Sequence, residues 1–117
     1  MATPSADPTK RFFDELAARD HEPLLRKASS SARFDIVDGK KTRRWVLRID
    51  HGDMSVTPGT GTADAVIRVE KALFDKIVRG RENAVAAVLR GDLEIDGDWR
   101  FLVLLQRLFP GPRKIPR

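Results

Sequence analysis

The apolar residues of this chain change their spacing four times, between helical and alternating, and few folds accommodate that order. From Pro8 to about Arg19, Phe12, Phe13, Leu16 and Ala17 fall on one helical face. Asp7 and Pro8 open this helix as an N-cap and a first-turn proline, whose missing N–H costs nothing there. Leu24, Leu25 and Ala28 suggest a short further helix ahead of the serine run Ser29–Ser31. The period then becomes two. Phe34 and Ile36 alternate with Arg33 and Asp35, and Asp38-Gly39 turns the chain into a strand over 42–50. There Trp45, Leu47 and Ile49 face one way, and Arg44, Val46 and Arg48 the other. His51-Gly52-Asp53 leads into a short strand with Met54 and Val56, ended by Pro58-Gly59-Thr60-Gly61. A fourth strand, 64–70, alternates Ala65, Ile67 and Val69 with Val66, Arg68 and Glu70.

Helical spacing returns with Leu73, Phe74, Ile77 and Val78, closed by Gly80, and again over 82–90, closed by Gly91. Leu93 and Ile95 mark a fifth strand, with Asp92, Glu94 and Asp96 on its other face. Asp98 caps a last helix running to about Phe109, where Pro110-Gly111-Pro112 stops it. Every strand therefore has one strongly apolar face and one charged face. That alternation belongs to a sheet wet on one side, so all the helices compete for the other. The expected class is α+β: five largely antiparallel strands with helices packed on one face. A chain of 117 residues supports one core. It is expected at 7–112, between a flexible leader at 1–6 and a basic tail at 113–117.

Composition removes several classes of function. With no cysteine, disulfide scaffolds, thiolate metal sites and thiol nucleophiles are excluded. No apolar run reaches the roughly 18 residues of a membrane span, and the N-terminus lacks the apolar segment of a secretory signal. A cytoplasmic setting is expected. The net charge of +5 is local. Lys40, Lys41, Arg43, Arg44 and Arg48 form one basic stretch, Arg107, Arg113, Lys114 and Arg117 another, and elsewhere acids outnumber bases. No phosphate loop, zinc-finger spacing or interleaved aromatic motif accompanies them, so nucleic acid is not an expected partner.

Residues fit for catalysis are sparse. His21 sits between Asp20 and Glu22 at a helix end and His51 lies in a turn, positions typical of surface histidines. No nucleophile elbow surrounds the serines. Asp92, Glu94, Asp96 and Asp98 look like an acidic ladder, but DLEIDGD lacks the spacing of a calcium loop, so no metal or other cofactor is expected. The apolar residues say more. Phe101, Leu102, Leu105, Leu108 and Phe109 form a stripe on the last helix, yet Trp99 and Val103 fall opposite, where a surface helix is polar. Ala84, Ala86 and Ala87 occupy little volume above a sheet bearing Phe34, Trp45 and Ile67. Small residues either allow close packing or leave a dry cavity open to an apolar guest.

From about Ala32 to Phe109, about two-thirds of the chain, the sequence resembles the sterol carrier protein type 2 family of lipid-binding domains. The likeness lies in the strand with Phe34, in RWVLRID ahead of His51-Gly52, in ADAVIRVE, and in LFDKIVRG ending at Gly80. It continues through Ala84–Asp98, a helix, a glycine, a short strand and a second glycine, to Leu108-Phe109-Pro110. The ending Ile115-Pro116-Arg117 departs from the targeting tripeptide of the family's peroxisomal members. The resemblance implies a non-enzymatic carrier whose apolar tunnel, between sheet and helices, takes a sterol, fatty acid, acyl-CoA or other lipid. The candidate lining is Phe34, Ile36, Trp45, Leu47, Ile67, Phe74, Ile77, Val88, Phe101 and Leu105, with Phe12 and Leu16 beside it. Lys40, Lys41, Arg43 and the basic tail would hold such a carrier at an anionic membrane surface during exchange. Two alternatives stand beside this reading. One is an interaction module, a homodimer through Trp99 and Val103 of the last helix or an accessory to an enzyme with a hydrophobic substrate. The other is an enzyme acting on a lipid thioester through His51 or an acidic residue at the tunnel mouth.

Overall fold

A computed structural model describes residues 7–19 and 26–108, the side chains of Arg19 and 105–108 excepted. Asp7 opens helix α1 (Pro8–Arg19): its Oδ1 accepts the Lys10 N–H at 3.2 Å and its carbonyl the Arg11 N–H at 3.0 Å. Four strands follow, β1 (Ser29–Asp38), β2 (Lys41–Asp50), β3 (Asp53–Pro58) and β4 (Ala65–Glu70). Then come α2 (Lys71–Val78), α3 (Ala84–Arg90), β5 (Leu93–Gly97) and α4 (Phe101–Leu108). The sheet order is β3-β2-β1-β4-β5, with β1 and β4 parallel and the other neighbours antiparallel.

Register places the expected apolar residues in line. Pro58, Trp45, Phe34, Ile67 and Ile95 form one rung of the inner face, and Val56, Leu47, Ala32, Ala65 and Gly97 the next. The packing of α1 on β3, α2 on β1 and β4, α3 on β5 and α4 on β1 covers that face. The outer face carries the alternating charges Arg44, Asp35, Arg68 and Glu94 along one rung.

Three expectations need correction. The serine run does not precede β1; it opens it, with Ser29 opposite Asp50. A two-residue turn followed by a ten-residue strand pulls the pairing back that far. Leu24 and Leu25 lie outside the described residues, but Ala28 is not helical: its carbonyl accepts the His51 N–H at 2.7 Å. The outer face is also drier than its charges imply. Asp35 is only 4% exposed, gripped by Arg33 Nε at 2.9 Å and Arg44 Nε at 3.3 Å. The link from β3 to β4 crosses over β2 and β1 on that side: Thr62 O accepts from Arg48 at 3.2 Å, and Gly61 lies over Val46, which is 5% exposed. Asp64 then anchors to Ser31, whose Oγ accepts the Asp64 N–H at 3.0 Å and whose N–H donates back at 3.2 Å. A smaller difference concerns Ala17, which is exposed.

Polar contacts fix α1 to α2. The Thr9 N–H and hydroxyl both donate to Asp75 Oδ1, at 3.1 and 2.6 Å, so a side chain from another helix satisfies a free first-turn donor. Lys71 Nζ joins Asp75 at 2.9 Å to Asp7 at 3.1 Å, and Arg43 reaches Asp7 at 3.2 Å. Burial works against the Asp7 carboxylate, but the Lys10 N–H and the charges of Lys71 and Arg43 hold its pKa below the usual value. Burial likewise opposes the Lys71 ammonium, and Asp75 and Asp7 outweigh it and push that pKa up.

The turn from β5 into α4 is held most tightly. Gly97 has φ +94°, and a β-carbon there would collide with the Asp64 carbonyl oxygen and sit 3.2 Å from Ala65 Cα. The Asp98 N–H donates to that same carbonyl at 2.8 Å. Gly97→Ala is therefore expected to lower stability by at least about 1–3 kcal/mol, read as a fall in the urea midpoint with unchanged slope.

Candidate functional site

The helices divide the interior into two unequal halves. Over β1 and β2 the space is filled by aromatic rings. Phe13, at 1% exposure, stacks on Trp45 with centroids 4.3 Å apart and planes 13° from parallel. It also lies parallel to Phe74 at 5.8 Å and meets Phe34 edge-on at 5.1 Å. Phe12 adds edge contacts to Phe13 and Phe74 at 5.2 and 5.7 Å. Offset and edge-on pairs of this kind add to what burial of the rings already contributes.

Toward β4 and β5 no rings stack among the described residues, and small side chains are interspersed with the buried Ile67, Val69 and Leu93. Ala84 and Ala87 are the buried residues of α3, and Ala32, Ala65 and Gly97 form the rung of the sheet nearest the start of α4. Asn83 starts α3 by accepting the Ala86 N–H at 3.0 Å, and Gly91, at φ 82°, ends it, its N–H donating to Val88 O. Around this half Val88, Ile95, Leu102 and Leu104 are only partly buried. Phe101 marks the boundary, edge-on to Phe34 at 6.4 Å. On the outside, Leu89 is 82% exposed, Trp99 66% and Val103 49%. Trp99 sits in the turn before α4 rather than in the helix itself.

The candidate lining residues come together. Phe34, Ile36, Leu47, Ile67, Phe74, Ile77 and Phe101 are shut from water, Trp45 nearly so, and all join one cluster with Phe12 and Leu16. They pack against one another in that cluster. Val88 packs against this cluster while keeping part of its surface free. Leu105 belongs to α4, but its side chain lies outside the described residues. Two depressions, of about 460 and 300 Å³, have mixed linings: one brings Arg68, Glu70 and Glu94 together with Val69 and Leu73, the other Arg43 and Arg44 with Trp45 and Pro58.

Catalytic and metal chemistry find little support in the geometry. His51 is exposed in the β2–β3 turn at φ 53°, its Nδ1 2.8 Å from Asp50. His21 lies outside the described residues. Asp92 pairs with Arg90 and Asp98 with Arg100, and among the described residues no three metal-ligating side chains converge. Sequence patterning passed over two residues. Phe13 was placed only on a helical stripe, although its ring lies at the centre of the aromatic half. Ser30 falls in a serine run that the pattern assigns to no element; counting back from Phe34 in steps of two puts it on the inner face.

The sequence profile of the SCP-2 sterol transfer family matches residues 10–110. The chain belongs to this family. Its fold is similar to that of sterol carrier protein 2 from Aedes aegypti in complex with palmitate, at 22% identity and TM-score 0.71, covering 97% of this chain and 100% of that one. It is also similar to part of the inverting sec-alkylsulfatase Pisa1 from Pseudomonas sp., at 20% identity and TM-score 0.67, covering 91% of this chain and 16% of that one. A peroxisomal multifunctional enzyme A from Dictyostelium discoideum is 28% identical over 92 residues, which is 77% of this chain. The chain spans about a fifth (21%) of that relative's length. Among the described residues no helix is long and apolar enough to cross a membrane.

The aromatic half predicts a clear response to mutation. Phe13→Ala should cost about 3–5 kcal/mol in urea unfolding. In a Trp99→Phe background it should also shift the folded-state emission of Trp45 to the red, because water gains access to the indole.

Proposed function

We propose that this chain is a non-catalytic lipid carrier that takes up one apolar ligand between the sheet and α3/α4. The division of the interior is the observation that carries this reading. A face locked by stacked rings resists opening, whereas one built from alanines and a glycine gives up few contacts when a helix moves. Membership of a sterol transfer family supports it, as does the palmitate complex of the Aedes relative. The buried cluster then serves as the floor of the ligand space, with Ile67 and Phe101 toward the guest and Val88 in its wall.

The energetics suffice without a precise polar site. A tail of about fourteen methylenes gains on the order of 11 kcal/mol on leaving water, at roughly 0.8 kcal/mol each. Ordering the tail and shifting α4 take back part of that, and micromolar affinity needs only about 8 kcal/mol. Leu89, Trp99 and Val103, exposed on α3 and around α4, support a docking role for the same elements beside the binding role.

Titration with a fluorescent fatty acid should saturate at one ligand per chain with a micromolar or tighter Kd. Val88→Asp should weaken it at least about tenfold, and Phe12→Leu, on the aromatic side, should leave it within about twofold. Absence of saturable binding, or equal losses in both variants, would contradict the proposal.

A further inference from the structure

By alternation, four inner-face positions of the strands carry polar side chains, Asp38, Lys41, Arg43 and Ser30, and the first two are exposed at the hairpin end. Arg43 is accounted for: its guanidinium lies over the Trp45 ring, 5.0 Å from the centroid, and pairs with Asp7. Ser30 is not. The residue as a whole is half-buried, but its Oγ is closed off from water and has no hydrogen-bond partner. Its neighbours in the serine run behave otherwise, Ser29 being exposed and Ser31 exchanging two hydrogen bonds with Asp64. Alanine occupies the same face two residues to either side, at Ala28 and Ala32, so a methyl group would fit the position. A buried hydroxyl left unpaired is a standing cost that alanine would avoid, and such groups in native proteins call for an explanation.

Register supplies the surroundings. Ser30 lies opposite Ile49, beyond which is Met54, and the adjoining rung is the small-residue one, Ala32 with Ala65 and Gly97. The hydroxyl thus stands at the edge of the lighter half, and its described register neighbours, Ile49, Met54 and Ala32, carry no charge. A carboxylate brought against them would gain no counter-ion from these residues, and burying it is far costlier than burying an alcohol. An alcohol both donates and accepts, and so does serine.

We propose that Ser30 Oγ is the hydrogen-bond partner for the polar end of the bound lipid, and that this end is a neutral hydroxyl, as on a sterol or long-chain alcohol. This rests on the lipid-carrier reading above, and its test separates the two. Decanol, decanoate and decane are used to displace a bound fluorescent lipid from the full chain and from Ser30→Ala. The unmodified chain should prefer decanol over decane by about fivefold, and Ser30→Ala should lose that preference while binding decane as before. Without ligand, Ser30→Ala should melt no lower than the unmodified chain, since an unpaired hydroxyl has been removed. A decanol preference that survives in Ser30→Ala overturns the assignment, as does a selective loss of decanoate, which would put a charged end there. A lowered melting temperature would reveal a structural partner for the hydroxyl and overturn it equally. If decane and decanol displace the probe without preference, the carrier reading stands and only Ser30's role falls. If the fluorescent lipid itself does not bind, the carrier reading fails and this one with it.

Discussion

The Phe13 ring is held between Trp45 of β2 and Phe74 of α2, with Phe34 of β1 against its edge. Because α1 delivers this ring, and Thr9 and Asp7 tie the same helix to Asp75 and Lys71, one end of the sheet is closed by both stacking and polar contacts. The remaining inner face is covered by α2, α3 and α4, whose inward residues run from Ile77 and Phe101 to the alanines of α3. The asymmetry follows from that division of labour.

A carrier needs such asymmetry. Its ligand site must be apolar enough to reward a hydrocarbon, yet a fully interlocked core cannot admit one without breaking its own contacts. Confining the interlocked rings to one side leaves the other free to yield. Gly91 and Gly97, both at positive φ, set sharp ends on α3 and β5. Relatives show the domain both alone and as a small part of much longer enzymes, and a lipid-holding unit is useful in either setting.

Much of this architecture could be read from the chain. Apolar alternation at Phe34, Trp45, Ile67 and Ile95 gave the strands and their inner face, because a period of two leaves no other arrangement. Asp98 before α4 and Gly91 after α3 marked boundaries that the backbone confirms. What escaped was non-local. Nothing near residue 13 shows that its ring will meet Trp45, since that contact depends on where α1 lands. The burial of Asp35 and Val46 on the charged face depends on a crossover at 59–64 whose sequence shows only turns. Of the candidate lining, Phe34, Ile36, Trp45, Leu47 and Ile67 share the inner face of the sheet, and Phe74, Ile77 and Phe101 pack with them. Which rings meet depends on where the helices land, which no local pattern states.

Amide hydrogen exchange with and without a saturating long-chain lipid tests the divided interior most directly. Slowed exchange confined to α3, β5 and α4, with α1 and α2 unchanged, is the expected pattern. Slowed exchange spread over α1 and α2, or no response anywhere despite bound lipid, would show that the ligand space is not where the small residues are.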